Sequence, residues 1–240
     1  MIPKIIHYVW VGNNPKPKNI QLCMKTWQRH LKDYKIIEWN EDNFDIHQNK
    51  YLEEAYKAKK WAFVSDYIRA KVVYEYGGIY LDTDVILLNN FDEFLSNKCF
   101  VGFETAKLPF TAVFGAEPQH PFIKQMLDYY DDKNFKSNVD SSSLITNTVS
   151  VSEILIKEYK CKLNNKKQLL RNNVKVYPNN ILCIPSKNSV AIHAFLGSWT
   201  GVKKPLRFRF MTFLRLHIRN KFEAEFYNKF VKLFHKEILY

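Results

Sequence analysis

The sequence predicts an α/β domain built on a mostly parallel central sheet, and two stretches carry that prediction. Within the first forty residues a β-branched, aromatic run (Lys4 to Val11) is followed by a helical segment (Asn19 to Leu31) and a second strand (Tyr34 to Trp39). Strand, helix, strand is the order that parallel pairing requires, because parallel strands need a crossover between them. Between Trp61 and Asp84 the chain reads WAFVSDYIRAKVVYEYGGIYLDTD, a helix that runs through two glycines into a short apolar strand. Helices would cover both faces of such a sheet, and its ligands gather at the carboxyl ends of the strands.

The first strand ends at Gly12-Asn13-Asn14-Pro15, and the second at the acidic turn Asn40-Glu41-Asp42-Asn43. In the helix that follows, Ala62, Asp66, Arg69 and Val73 fall at i, i+4, i+7 and i+11, with Phe63, Ala70 and Tyr74 as a neighbouring apolar stripe. Asp66 and Arg69 therefore share a face. Gly77 or Gly78 supplies the positive φ that closes the helix. Ile79-Tyr80-Leu81 then delivers Asp82 and Asp84, which as alternate residues of an extended segment point the same way. Beyond them Cys99 to Glu104 and Thr111 to Ala116 read as strands, and Pro121 to Tyr130 as a helix with proline in its first turn. Lys133 to Ser143 reads as a loop and Leu144 to Tyr159 as a helix. Val174 to Ile184 alternates strand and turn, and Ala191 to Trp199 is a short strand running into a glycine turn.

The aspartates mark the first candidate site. Two carboxylates at the mouth of an apolar strand repel by on the order of a few kcal/mol at an effective dielectric near 20. A divalent cation is the usual remedy, and oxygen ligands favour magnesium or manganese over zinc. No Cys-x-x-Cys or His-Glu-x-x-His spacing competes. An acidic pair after a strand is also common in ordinary turns, and Asp66 with Arg69 is also the spacing of a surface ion pair.

Composition narrows the classes. The 240 residues suffice for one sizeable core, and 46% apolar residues with abundant aromatics exclude disorder over most of the length. Cys23, Cys99, Cys161 and Cys183 show no metal or redox spacing and read as reduced thiols in a reducing compartment. The N-terminus has no signal-peptide pattern, and no segment nears the roughly 18 uninterrupted apolar residues of a membrane span. A cytoplasmic protein, or one peripheral on the inner face of the cell membrane, is expected. The net charge of +12 is uneven: from Lys203 to Tyr240 ten Lys and Arg stand against three Glu.

Taken together, IHYVWVG, SDYIR, GGIYLDTD and the later HAFLGSW resemble, in the same order, the glycosyltransferases with a DXD sugar-binding region. That family includes capsule and lipopolysaccharide glycosyltransferases and yeast initiating mannosyltransferases, with the clostridial glucosylating toxins as distant relatives. The resemblance spans residues 1 to about 201, leaving 202–240 as a basic amphipathic helical tail. It implies a GT-A fold (Rossmann-like, a mostly parallel sheet flanked by helices), a nucleotide-sugar donor, a divalent cation (Mn2+, or Mg2+) and transfer with retention. Val9 and Trp10 match the residues that hold the donor base, although Trp10 reads as well as a core aromatic. Asp66 and Arg69 match the pair that grips the sugar and the phosphates. Asp82 matches a ligand of ribose and metal, and Asp84 a direct metal ligand. Ser198 and Trp199 match residues near the metal and the glycosidic oxygen, His193 sits where relatives carry a histidine close to the cation, and Thr146, Asn147 and Thr148 fall in a sugar-facing region. Asp66 and Glu104 are conceivable nucleophiles, but same-face attack assisted by the departing phosphate is favoured.

The expected reaction is hexose transfer from a UDP-sugar to a saccharide acceptor, a lipid-linked surface polysaccharide intermediate. Two alternatives stand beside it. IYLDTDVIL partly mimics the nucleophile loop of haloacid-dehalogenase phosphatases, but Ile86 stands where Thr or Val is expected. The tail cations Lys203, Lys204, Arg207, Arg209, Arg215, Arg219 and Lys221 would also suit nucleic acid. Against that, Phe210, Phe213, Leu214, Phe222, Phe226, Phe230, Leu233 and Phe234 follow helical spacing. This is the pattern of helices that pack on the domain or lie on an anionic membrane surface, and no nucleic-acid partner is expected.

Overall fold

The computed structural model describes residues 1–135, 146–197 and 205–234. Ile5–Val9 (β1), Lys18–His30 (α1) and Lys35–Trp39 (β2) form the expected unit, with β1 and β2 parallel in the register Ile5 to Lys35 through Val9 to Trp39. After Lys50–Lys57 (α2), capped where the Asn49 side chain accepts from the Leu52 N–H, comes Trp61–Tyr76 (α3). Gly78–Leu81 (β3) follows, parallel to β1. Both glycines at the junction have positive φ, 64° at Gly77 and 97° at Gly78. A Cβ on Gly78 would lie 2.6 Å from the Ile5 carbonyl oxygen, so this strand start admits no side chain.

Val85–Leu87 (β4), Cys99–Gly102 (β5), Val113–Ala116 (β6), Pro121–Asp128 (α4), Asn147–Lys157 (α5), Gln168–Leu169 (β7), Val174–Tyr177 (β8), Asn179–Leu182 (α6) and Ala191–His193 (β9) complete the domain. The main sheet has the order β2-β1-β3-β6-β5-β8-β7. Its strands β2, β1, β3, β5 and β8 run one way, and β6 and β7 run against them. This is a mixed, mostly parallel sheet in an α/β domain, as the sequence order predicts. Side chains alternate between its faces: Ile6, Tyr8, Ile79 and Leu81 join Trp27 and Leu31 of α1, while Val9 and Tyr80 join α2, α3, α4 and α5.

Four elements escape the sequence reading. The segment just after Asp84 is a strand, β4, which pairs antiparallel with β9 so that Val85 faces His193. Asp82 and Asp84 accordingly sit in the tight turn between β3 and β4, where the Val85 N–H donates to the Asp82 carbonyl at 3.1 Å. Their convergence comes from that turn rather than from two-residue alternation along a strand. The others are α2 and β7, which the sequence reading leaves unassigned, and the short α6, which falls in a stretch read as strand and turn.

Leu206–Leu216 (α7) and Lys221–Phe234 (α8) return to the domain. Ile218, Ala224, Tyr227 and Val231 are buried in a third apolar cluster with Cys23 of α1, Ile86 of β4, and Ile192 and Ala194. The stripe expected as one surface is thus two, since Leu206, Phe210, Phe213, Phe222 and Phe226 face outward. All four cysteines are buried free thiols, and no helix of the described residues is long and apolar enough to cross a membrane.

Candidate active site

The site is assembled from four backbone segments. Helix α3 is buried on nearly every side, so its two buried charged residues, Asp66 and Arg69, must satisfy one another inside the protein. Arg69 Nη2 lies 3.1 Å from Asp66 Oδ1 and 3.1 Å from Asp82 Oδ1, bridging the helix to the turn. The same nitrogen donates to Ser65 Oγ at 3.0 Å, Nε donates to the Ser65 carbonyl at 3.3 Å, and the guanidinium lies over the Tyr80 ring at 4.7 Å. Asp66 also accepts from the backbone N–H of Asn147, at the start of α5.

The β4–β9 pair supplies the rest. Because Val85 and His193 face each other in register, the imidazole is carried back to the turn. His193 Nε2 lies 3.3 Å from Asp84 Oδ1, and Asp84 Oδ2 accepts from the Leu196 N–H at 2.9 Å. Oxygens of Asp82 and Asp84 and a ring nitrogen of His193 all lie within 4.8 Å of one another. His193 Nδ1 is buried without a hydrogen-bond partner, its nearest acid being Glu104 at 3.7 Å.

Burial pushes the Asp66 carboxyl up to about 7, against the pull of Arg69. It also raises Asp82, again opposed by Arg69 and reinforced by Asp84. Burial works against the charge on Arg69, but Asp82, Tyr80 and Asp66 more than offset it. For Asp84 burial is overcome by His193 and the Leu196 N–H, so its carboxyl lies below the usual carboxylate range. His193 is the mirror case: burial opposes its charge, and Asp84 holds the proton on well above the ordinary histidine range. With His193 neutral, the four acids Asp66, Asp82, Asp84 and Glu104 outnumber the nearby cations Arg69 and Arg215. Two oxygens and one nitrogen around that excess of negative charge fit Mn2+ or Mg2+, and binding there has to displace the His193 proton.

These groups line a cleft of about 1930 Å³ along the carboxyl edge of the sheet. Trp10 follows β1 at one end, half-buried, with its indole N–H donating to the Asn14 carbonyl at 2.7 Å and Lys16 Nζ 5.5 Å from the ring. Val9, Thr146, Asn147 and Thr148 also line it, though Val9 is largely buried. Ser198 and Trp199 lie outside the described residues. Sequence reasoning misses Ser65, whose i−4 spacing from Arg69 was a usable signal. It also misses Arg215 as a site residue: Nη1 donates to the His193 carbonyl at 3.2 Å, a contact between α7 and β9 that no spacing announces. The pairing of Asp82 with Arg69 disfavours the phosphatase alternative, whose nucleophile would have to be free.

Residues 17–101 match the family described as the glycosyltransferase sugar-binding region containing a DXD motif. An uncharacterized glycosyltransferase of Acanthamoeba polyphaga mimivirus is 30% identical over 158 residues, 62% of this chain and 61% of that protein. Inositol phosphoceramide mannosyltransferase 1 of Schizosaccharomyces pombe is 27% identical over 137 residues, 52% of this chain and 42% of that one. The chain therefore spans less than two thirds of either relative. Among solved structures, the Streptococcus pneumoniae glycosyltransferase GlyE aligns over 96% of this chain and 64% of its own at 11% identity and TM-score 0.49. PaToxG glycosyltransferase aligns over 65% and 69% at 20% identity and TM-score 0.48. At these scores the two structures add nothing to what the chain's own topology shows. Asp82 and Asp84 fall inside the matched region 17–101 as its DXD pair, so this part of the chain carries the DXD-containing sugar-binding region of glycosyltransferases.

Proposed function

We propose that the protein transfers a hexose from a nucleotide sugar, with retention of configuration, to a saccharide acceptor. The observation that carries this reading is the convergence of Asp82, Asp84 and His193 within 4.8 Å, with Arg69 held at 3.1 Å from Asp82. A divalent cation at those three residues would supply positive charge to a diphosphate leaving group. Arg69 adds a second, fixed positive charge in a setting shielded from water, where such charges act most strongly on a developing anion. Asp66, tied to Arg69 and to the Asn147 N–H, orients that guanidinium. A carboxylate so engaged is poorly suited to be a covalent nucleophile, which favours same-face attack with the acceptor proton passing to the departing phosphate.

Trp10, at the end of β1, offers a ring for the donor base, where stacking is worth about 1–3 kcal/mol. The donor is assigned as a UDP-sugar on the family resemblance. The relatives' names span mannosyl and N-acetylglucosaminyl transfer, so the hexose stays unspecified. The acceptor is assigned as a lipid-linked saccharide, in keeping with the ceramide acceptors in the yeast relatives' names. The outward Phe and Leu side chains of α7 and α8, interleaved with Arg and Lys, would hold the enzyme on the anionic inner face of the membrane. The test is a screen of nucleotide sugars for hydrolysis with Mn2+ and then with chelator. Turnover of at least one donor, lost on chelation, is expected; no binding or turnover of any donor with metal overturns the reading.

A further inference from the structure

The cleft, at about 1930 Å³, exceeds the roughly 300–1,000 Å³ of a usual small-molecule site, and its two ends differ. Sheet order places the end of β1, with Trp10, on one side of Asp82, and the ends of β5 and β8 on the other. Strand β7 runs against β8, so its start, preceded by Lys166 and Lys167, lies at that same edge. Lys187 follows α6 on this side, its N–H bonded to Glu225 of α8, and Arg215 and Lys232 of the tail helices line the same cleft.

We propose that this half of the cleft binds an acceptor bearing a negative group, phosphate or carboxylate, beside the sugar that is extended. The inference rests on the transferase reading above. Among the described residues Lys166, Lys167, Lys187 and Lys232 have no ion-pair partner. The acids on this side are already engaged: Glu104 lies 3.7 Å from His193, while Glu225 accepts from the Lys187 N–H and pairs with Lys229. The donor's own phosphates are met at Arg69 and the three candidate metal ligands, which leaves this positive wall without an anion.

Arg215 anchors the wall. Its guanidinium is held by the His193 carbonyl at 3.2 Å and lies 5.3 Å from the Phe195 ring and 5.6 Å from the Tyr227 ring. Its Nε is buried with no acceptor. A buried N–H of that kind calls for a partner, and a guanidinium fork suits phosphate and carboxylate. The four lysines are exposed and individually weak, but several like charges lining a concave wall add to one potential. The tail thereby contributes to the acceptor site as well as to packing.

The test uses the full chain saturated with UDP and Mn2+, so that the donor site cannot take up the probe. Glucose, galactose and mannose 6-phosphates, the corresponding hexuronates, the neutral hexoses and inorganic phosphate are titrated calorimetrically. At least one anionic hexose is expected to bind about tenfold tighter than its neutral parent. K166E/K167E, at exposed positions, should reduce that preference severalfold while UDP affinity holds, and R215Q should reduce it as well. Equal binding of charged and neutral sugars, a preference that survives both variants, or inorganic phosphate binding as well as the sugar phosphate would overturn the proposal. If no nucleoside diphosphate binds with Mn2+, the transferase reading itself fails and takes this inference with it.

Discussion

The module from Trp61 to Asp84 and the tail from Pro205 to Phe234 are both helical and both charged, yet they use charge in opposite ways. In the module, Asp66 and Arg69 are each only 7% exposed and are committed to one another and to Asp82. In the tail, Arg and Lys are mostly exposed, and the apolar residues divide between an inner face that docks and an outer one that does not. Phe222 is 82% exposed, while Ala224, two residues on, is fully buried. A buried charge is costly unless paired, so the module's residues are mutually dependent; a solvated charge is cheap, so the tail's are nearly independent.

The sharpest way to break that contrast is Asp84→Asn. The amide can still accept from the Leu196 N–H, so the fold should persist, while metal-dependent turnover falls by about 10³-fold or more. Retained activity with an unchanged Mn2+ requirement, measured as donor hydrolysis, would remove Asp84 from the site. Next is Arg69→Met, which leaves Asp66 and Asp82 without their counter-charge and should cost about 3–5 kcal/mol in urea unfolding. In the tail, Lys221→Met should stay within about 0.5 kcal/mol. Comparable losses at both positions would erase the distinction.

The module's far end offers a pH test. His7 is fully buried beside Gly77, with its Nε2 2.7 Å from the Gly77 carbonyl and its Nδ1 accepting from the Trp39 indole at 3.0 Å. Burial lowers its pKa to about 4. Below about pH 6.5 the unfolded chain takes up a proton that the native state refuses. Stability linked to His7 is therefore present above pH 6.5 and lost as pH falls through 4, by up to about 3 kcal/mol. His7→Gln should flatten that acid limb in unfolding titrations; an unchanged limb assigns it to other groups. The smallest effect concerns the outer tail face. Phe222→Ser with Phe226→Ser should leave stability within about 0.5 kcal/mol per site and reduce sedimentation with anionic vesicles. Undiminished sedimentation, or none by the parent chain at low salt, would sink the membrane proposal.

What was legible in the sequence follows from where the information is local. Helical spacing put Asp66 and Arg69 on one face, and the double glycine with its short apolar strand announced β3 and the aspartates at its end. The run Lys4 to Val11 could be read as a strand because both faces of β1 are buried and filled with β-branched and aromatic side chains. Less legible was anything created by pairing across many residues. Val85–Leu87 is too short to announce itself as a strand without β9, about a hundred residues away, and that pairing brings His193 to Asp84.

The tail shows the same division. Its amphipathic spacing and its charge were plain, but one sequence pattern serves both a docked and an exposed face, and only the packing of Ile218, Tyr227 and Val231 on Cys23, Ile86 and Ile192 separates them. By itself the sequence determined the α/β order, the closely spaced aspartates after the short strand and the shared face of Asp66 and Arg69, because these depend on spacings within one or two turns of chain. The tertiary structure alone decided that the aspartates meet in a turn, that His193 completes their cluster, and that Arg215 reaches the site from the tail. Those depend on which distant segments exclude water together, and no local period encodes that.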